Sequence, residues 1–316
     1  MRSSPGGAIH GLRLAPFERA PAPEAVAGLL GRPASDVVAV SDLGHPWAGT
    51  TQTLLVTLQT GARVVLQRGT QTPAGRAAIA RRIRLAGALR AAAPFLPVPE
   101  VLAESSRARD GPWLVTRFVD GRPGNELLGS DAEAAALGTI AGSIALAVAR
   151  ISPAGMRLGR RWADADRLGA AAETWMRSTS AELRPEAAKA GSALAARVPW
   201  LFAASPVAVA HGDLAPVNLL VRDGVLVALL DLERMRLAPA AFDVAWFRYV
   251  VRLHHPGRWA ATGPALMAAR DLADHDETAR LLDDLAALAC LERAAIGGGG
   301  SERRAWIERL ESLLIG

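Results

Sequence analysis

Residues 211–243 read HGDLAPVNLLVRDGVLVALLDLERMRLAPAAFD, and the oxygen-bearing side chains in this stretch fall at suggestive intervals. Asn218 follows Asp213 by five residues, and Asp231 follows Asn218 by thirteen. Two carboxylates and a carboxamide are what phosphoryl transfer asks of a protein. One carboxylate orients an attacking hydroxyl and takes its proton, and hard oxygen ligands hold a Mg²⁺ that bridges phosphates. Singly, each has a plainer reading: Asp213 as a turn cap, Asn218 as an Asx turn, Asp243 as the N-cap of the helix beginning VAWF. Their joint spacing favours the chemical reading.

These residues need particular elements around them. Pro216 argues against a helix between Asp213 and Asn218, so the segment is a loop. The turn Arg222-Asp223-Gly224 lets strands Leu219–Val221 and Val225–Leu230 pair and brings Asp231 back beside that loop. A carboxylate after the apolar run VLVALL is costly to bury unless it meets a cation or a donor. Upstream, strand-like runs at Val37–Val40, Thr53–Leu58, Arg63–Gln67 and Trp113–Val119 surround one helix over 75–92. Residues 24–31 form a short amphipathic helix. After Gly121 the chain turns Ala-rich and helical (131–151, 164–180, 186–198), and helices resume from Phe242. The expectation is an α+β protein of two lobes: 1–116 β-rich, a hinge at 117–121, and 122–316 α-rich.

The loop resembles the His-Arg-Asp-x-x-x-x-Asn catalytic loop of protein kinases. Gly212 in place of that Arg, Asp231-Leu232-Glu233 in place of Asp-Phe-Gly, and Pro239 followed by Asp243 and Ala245 look like the aminoglycoside phosphotransferase and choline kinase family. The resemblance is sharp over 210–246 and extends over most of the chain as lobe order. It implies a two-lobed protein-kinase-like fold with an N-terminal antiparallel β lobe and a larger α-helical C-terminal lobe. It also implies a small-molecule O-phosphotransferase that takes ATP or GTP with Mg²⁺ and a hydroxylated acceptor such as an aminoglycoside, another antibiotic, an amino sugar or an amino alcohol. On the matching positions Asp213 would be the base or orienting group. Asn218 and Asp231 would hold Mg²⁺, and His211 and Asp243 would brace the loop. Glu233 would lie near metal or substrate, and the backbone of Arg117, Phe118 and Val119 would bind the nucleotide base.

The sequence departs from that family where a strand lysine and a helix glutamate are expected. Gln67 stands at the lysine position, Arg68 beside it, and Arg82 near the glutamate position; Lys189 is the only lysine in the chain. A Walker A motif is therefore excluded. One reading moves the phosphate-binding cation to Arg82, or to Arg68 if the register slips by one, with Gln67 a neutral neighbour. The other makes the protein a ligand-binding pseudokinase; the intact Asp213 and Asp231 favour the first. The turn LGHPWAGTTQ could cover phosphates with the amides of Gly49, Thr50 and Thr51, or be an ordinary hairpin. Asp271 and Asp274 in DLADHDE could line a pocket for a cationic acceptor, or be the solvated start of a helix.

Composition narrows the classes. The chain has 316 residues, half of them apolar, enough for two cores. The net charge of +5 rests on scattered arginines without an aromatic-interleaved stripe, which speaks against nucleic-acid binding. A single cysteine, Cys290, leaves no intrachain disulfide. No secretory h-region opens the chain. The longest uncharged stretch, 134–149, is shorter than a spanning helix and reads as a buried one. The expectation is a cytoplasmic monomer or homodimer without a membrane partner.

Overall fold

The computed structural model describes residues 23–43, 51–69, 72–105, 112–273, 275–297 and 300–315. They group into two compact units.

The first unit holds α1 (Pro23–Leu29) and five strands: β1 (Val37–Asp42), β2 (Thr51–Leu58), β3 (Arg63–Gly69), β4 (Val101–Ser105) and β5 (Trp113–Arg117). They form one antiparallel sheet in the order β1-β2-β3-β5-β4. Alternation makes the core: Leu54, Val56 and Leu58 of β2 meet Val64 and Leu66 of β3, Val115 of β5 and Val26 of α1. Each fully buried aliphatic side chain contributes roughly 1.5–3 kcal/mol. The β2–β3 hairpin turns at Gly61, whose φ of 80° suits glycine.

Helix α2 (Pro73–Ala92) begins in this unit, but its residues from Arg81 onward belong to the second. This departs from a boundary drawn near residue 117. The cause is apolar spacing: Leu85, Leu89, Ala93 and Leu96 are buried in the larger core.

The second unit is mainly helical. It contains β6 (Arg122–Pro123), α3 (Asp131–Ala149), α4 (Ala165–Thr179), α5 (Pro185–Ala196), α6 (Val198–Ala204) and β7 (Val207–Ala210). It continues with β8 (Leu219–Arg222), β9 (Val225–Leu229), β10 (Arg236–Pro239), α7 (Phe242–His254), α8 (Trp259–Arg270), α9 (Asp276–Ile296) and most of α10 (Ser301–Ile315). β6, β8 and β9 form one small antiparallel sheet, and β7 pairs with β10 in another.

Among the described residues α3 is the one helix long and apolar enough to cross a membrane. In the fold Ala134, Leu137, Ala141, Ala145 and Val148 are buried in the protein core. Ser130 caps the helix by accepting the Glu133 amide. Gly138 and Gly142 let α3 touch the α8 backbone: a methyl on Gly142 would lie 2.6 Å from the Leu266 carbonyl oxygen, and one on Gly138 would strike that of Thr262.

Candidate active site

β7 ends at Ala210, and the next three residues are held from below by Asp243 in the first turn of α7. Its carboxylate accepts the His211 amide at 2.7 Å and the Gly212 amide at 2.9 Å. Burial pushes the Asp243 pKa up, against the lowering effect of His211 and the two amides. Buried His211 spans the site: its Nε2 faces the Leu230 carbonyl at 2.8 Å, and its Nδ1 accepts the Asp213 amide at 3.3 Å. The proton therefore sits on Nε2. The two loops, 211–218 and 230–234, are thus locked to each other and to α7.

Gly212 has φ 81°, and a Cβ there would run into the carbonyl oxygen of Arg234. Both facts account for glycine where the kinase loop carries arginine. The chain then turns through Asp213 and closes with a short 3₁₀ turn at Pro216–Asn218. Asn218 Nδ2 donates to the Asp213 carbonyl at 2.8 Å, which leaves its Oδ1 uncommitted among the described residues. The Leu230 amide donates to the Asn218 carbonyl at 2.8 Å. Asp231 follows with a left-handed φ of 60°, a conformation more open to Asp than to most side chains.

The acidic groups are heavily paired with arginine. Asp213 Oδ1 accepts Arg293 Nη2 at 2.9 Å, and Arg234 Nε lies 3.6 Å from its Oδ2. Burial acts to raise the Asp213 pKa, but Arg293 and Arg234 outweigh it and hold the carboxyl below its usual range. Arg82 bridges two acids, donating to Asp231 Oδ1 at 2.6 Å and Glu233 Oε2 at 2.7 Å. For Asp231 burial raises the pKa; with Glu233 and Asp213 nearby it exceeds the lowering by Arg82. Arg82 in turn is driven up by the two carboxylates despite its own burial.

This pairing bears on the expectation that Arg82 reaches nucleotide phosphates: in the structure it serves as counter-ion to Asp231 and Glu233. Arg68 is engaged too, its Nε donating to Gln52 Oε1 at 2.6 Å, while Gln52 Nε2 donates to Asp42 at 2.9 Å. Gln67 sits on β3 between Thr53 of β2 and Leu114 of β5, on the opposite face from Leu66. Thr51 opens β2 and is buried; Gly49 and Thr50 lie outside the described residues. Arg117 closes β5. The Phe118 amide donates to the Arg63 carbonyl, with the Arg63 guanidinium 4.0 Å over the Phe118 ring, and Val119 belongs to the second unit. Asp271 ends α8 in a left-handed conformation, and Asp274 lies outside the described residues.

Arg293 and Arg234 were not legible as site residues. Arg293 lies eighty positions from its partner, and its one local signal is a cation within the apolar stretch of α9. A cavity of about 500 Å³ at the β8–β9 turn and α3 is lined by none of Asp213, Asn218 and Asp231.

A sheet-rich N-terminal unit, a helical C-terminal unit and paired loops carrying Asp213, Asn218 and Asp231 define a kinase-like phosphotransferase. The model of the phosphotransferase enzyme family matches residues 46–282, and the chain belongs to that family. Solved structures agree in fold. A macrolide 2'-phosphotransferase from Brachybacterium faecium is 18% identical, with a TM-score of 0.63 over 91% of this chain and 98% of its own. Aminoglycoside 2'-phosphotransferase-IIIa in complex with GDP is 16% identical, with a TM-score of 0.69 over 92% and 96%. A putative aminoglycoside phosphotransferase from Ralstonia eutropha is 18% identical, with a TM-score of 0.63 over 92% and 95%. Comparison with curated proteins finds no match.

Proposed function

We propose that this phosphotransferase moves the γ-phosphoryl group of ATP or GTP, with Mg²⁺, to a hydroxyl of a small molecule. The observation that carries the reading is the convergence of Asp213, Asn218 and Asp231 on two loops that His211 and Asp243 lock together. The neighbours' complexes support a nucleotide co-substrate: GDP for one, ATP with streptomycin for another, ADP with hygromycin B for a third.

The donor set fits magnesium. Among the described residues Asn218 Oδ1 is uncommitted and Asp231 Oδ2 takes no part in the Arg82 bond, giving hard oxygen ligands. Mg²⁺ usually takes one or two carboxylates, with substrate phosphates and water completing the shell. Bound there, the ion would neutralise phosphate charge during transfer. Asp213 does the rest: its Oδ2 aligns the acceptor hydroxyl and receives the proton as the new O–P bond forms. Its depressed pKa makes it an aligning group first and a base late in the step.

On α9 three acidic side chains are matched by arginines. Asp283 pairs with Arg248, Asp284 with Arg197, and Glu292 with Arg236.

The test is a thermal-shift titration with ATP and GTP, with and without Mg²⁺, followed by turnover of wild type and Asp213→Asn on an acceptor panel. Nucleotide at 100 times its Kd adds about 2.7 kcal/mol, which moves Tm by several degrees. A Mg²⁺-dependent shift, with turnover that falls steeply to a measurable residue in Asp213→Asn, is the expected result. No shift with either nucleotide would sink the proposal and leave a ligand-binding protein without transfer activity.

A further inference from the structure

Arg293 is a buried cation that the family's catalytic loop does not account for. It projects from α9, its side chain is 13% exposed, and its ion partner is Asp213 at 2.9 Å, itself 17% exposed. Its guanidinium lies 3.8 Å from the Trp246 ring centroid and 5.0 Å from that of Trp306. Two indoles, one from α7 and one from α10, thus clamp the plane of the group. Trp246 stands three residues after Asp243, so the element that holds the loop backbone also holds the arginine. The preceding residue, Glu292, turns to Trp162 and Arg236 instead and makes no claim on Arg293.

A carboxylate's terminal torsion is broad and roughly two-fold, so Asp213 left alone would present either oxygen over a range of angles. A planar donor at Oδ1 removes that freedom. It also leaves Oδ2 as the atom that meets the acceptor. Arg234 lies near that oxygen at a looser 3.6 Å and is half exposed, so it can yield to substrate. The other titratable groups facing Asp213 are His211 and Asp231.

We propose that Arg293 is the positioning residue of the transfer, fixing Asp213 through Oδ1 so that Oδ2 alone aligns the attacking hydroxyl. The inference rests on the phosphoryl-transfer reading above. In the step, the hydroxyl oxygen forms a bond to the γ-phosphorus, and the bond from that phosphorus to the bridging oxygen breaks. Its electron pair leaves on the nucleoside diphosphate, and the hydroxyl proton passes to Asp213 Oδ2. Arg293 touches none of the reacting atoms.

The test is a double-mutant cycle on Arg293→Met and Asp213→Asn, with Arg293→Lys as the conservative variant. Release of ADP or GDP from Mg-ATP or Mg-GTP in the presence of the acceptor panel is the common readout, with Tm measured on every variant. A misplacement near 1 Å costs about a hundred-fold. Arg293→Met should therefore lose about that in kcat with the nucleotide KM within about twofold, and Arg293→Lys should recover a large part of the loss. In the Asp213→Asn background Arg293→Met should cost nothing further, an outcome that a general packing role cannot produce. Equal losses in both backgrounds, or wild-type kcat in Arg293→Met, overturn the proposal. If Arg293→Met does not fold, Arg293→Lys decides: its kcat must fall more than its Tm accounts for, and the deficit must vanish when Asp213 is Asn. Equal turnover of wild type and Asp213→Asn would be a different failure, sinking the assignment of Asp213 itself.

Discussion

Replacing Arg82 by methionine separates a counter-ion from a phosphate ligand. Its side chain is 11% exposed and bonded to Asp231 and Glu233, which are 30% and 20% exposed. Breaking a fully buried ion pair costs about 3–5 kcal/mol, chiefly because the abandoned charge stays desolvated. Here water reaches both carboxylates in part, which brings the expected cost to about 2–3 kcal/mol. At roughly 2–4 °C per kcal/mol for chains of this order, Tm should fall by about 5–10 °C in EDTA. Methionine keeps most of the aliphatic volume, so the loss reports charge more than packing. Adding Mg²⁺ should restore more stability to Arg82→Met than to wild type, because a divalent cation can take up the charge of Asp231. Differential scanning calorimetry across a Mg²⁺ titration measures both. An Arg82→Met protein melting within about 1 °C of wild type in EDTA would refute the counter-ion role.

Other substitutions probe the scaffold. Gly212→Ala forces a left-handed φ on alanine, costing about 1–2 kcal/mol, and drives a methyl against the Arg234 carbonyl. Transfer activity should fall further than the melting temperature predicts, because the displaced loop carries Asp213; unchanged turnover would contradict this. Gly142→Ala places a methyl 2.6 Å from the Leu266 carbonyl and 2.8 Å from the Ala269 Cβ, so α3 and α8 must part. Overpacking of this kind costs about 1–3 kcal/mol, and chemical denaturation should show it as a lower midpoint. Cys290 is fully buried and its thiol is pushed up to about 11 by burial. A thiol reagent at pH 8 should therefore leave native protein unlabelled and react fully in denaturant.

The parts legible in the sequence were those written locally. The β2–β3 hairpin announces itself through Thr60-Gly61-Ala62 between two apolar strands, and the paired loops through the spacing of Asp213, Asn218 and Asp231. What escaped was set by contacts between distant positions. The partners Arg82 and Asp231 are 149 residues apart, and no local pattern tells a helix arginine that its neighbours will be carboxylates. β10 escaped because Arg236–Pro239 is four residues long, polar at its start and closed by proline; only pairing with β7 makes it a strand. The strand at Trp113 stops at Arg117 rather than Val119 because its β3 partner begins at Arg63; beyond that residue the β3 ladder has no partner left.

The neutral glutamine on β3 has a practical corollary. Reagents that map nucleotide-binding proteins often carry an activated acyl phosphate, which reacts with a lysine amine held beside the bound nucleotide. Gln67 offers no amine, and Lys189, the sole lysine, is exposed on α5. Such a survey of a cell would pass over this phosphotransferase even while it was turning over. Inventories of kinase-like enzymes built on amine labelling are blind to members whose cations, like those of this chain apart from Lys189, are guanidinium groups.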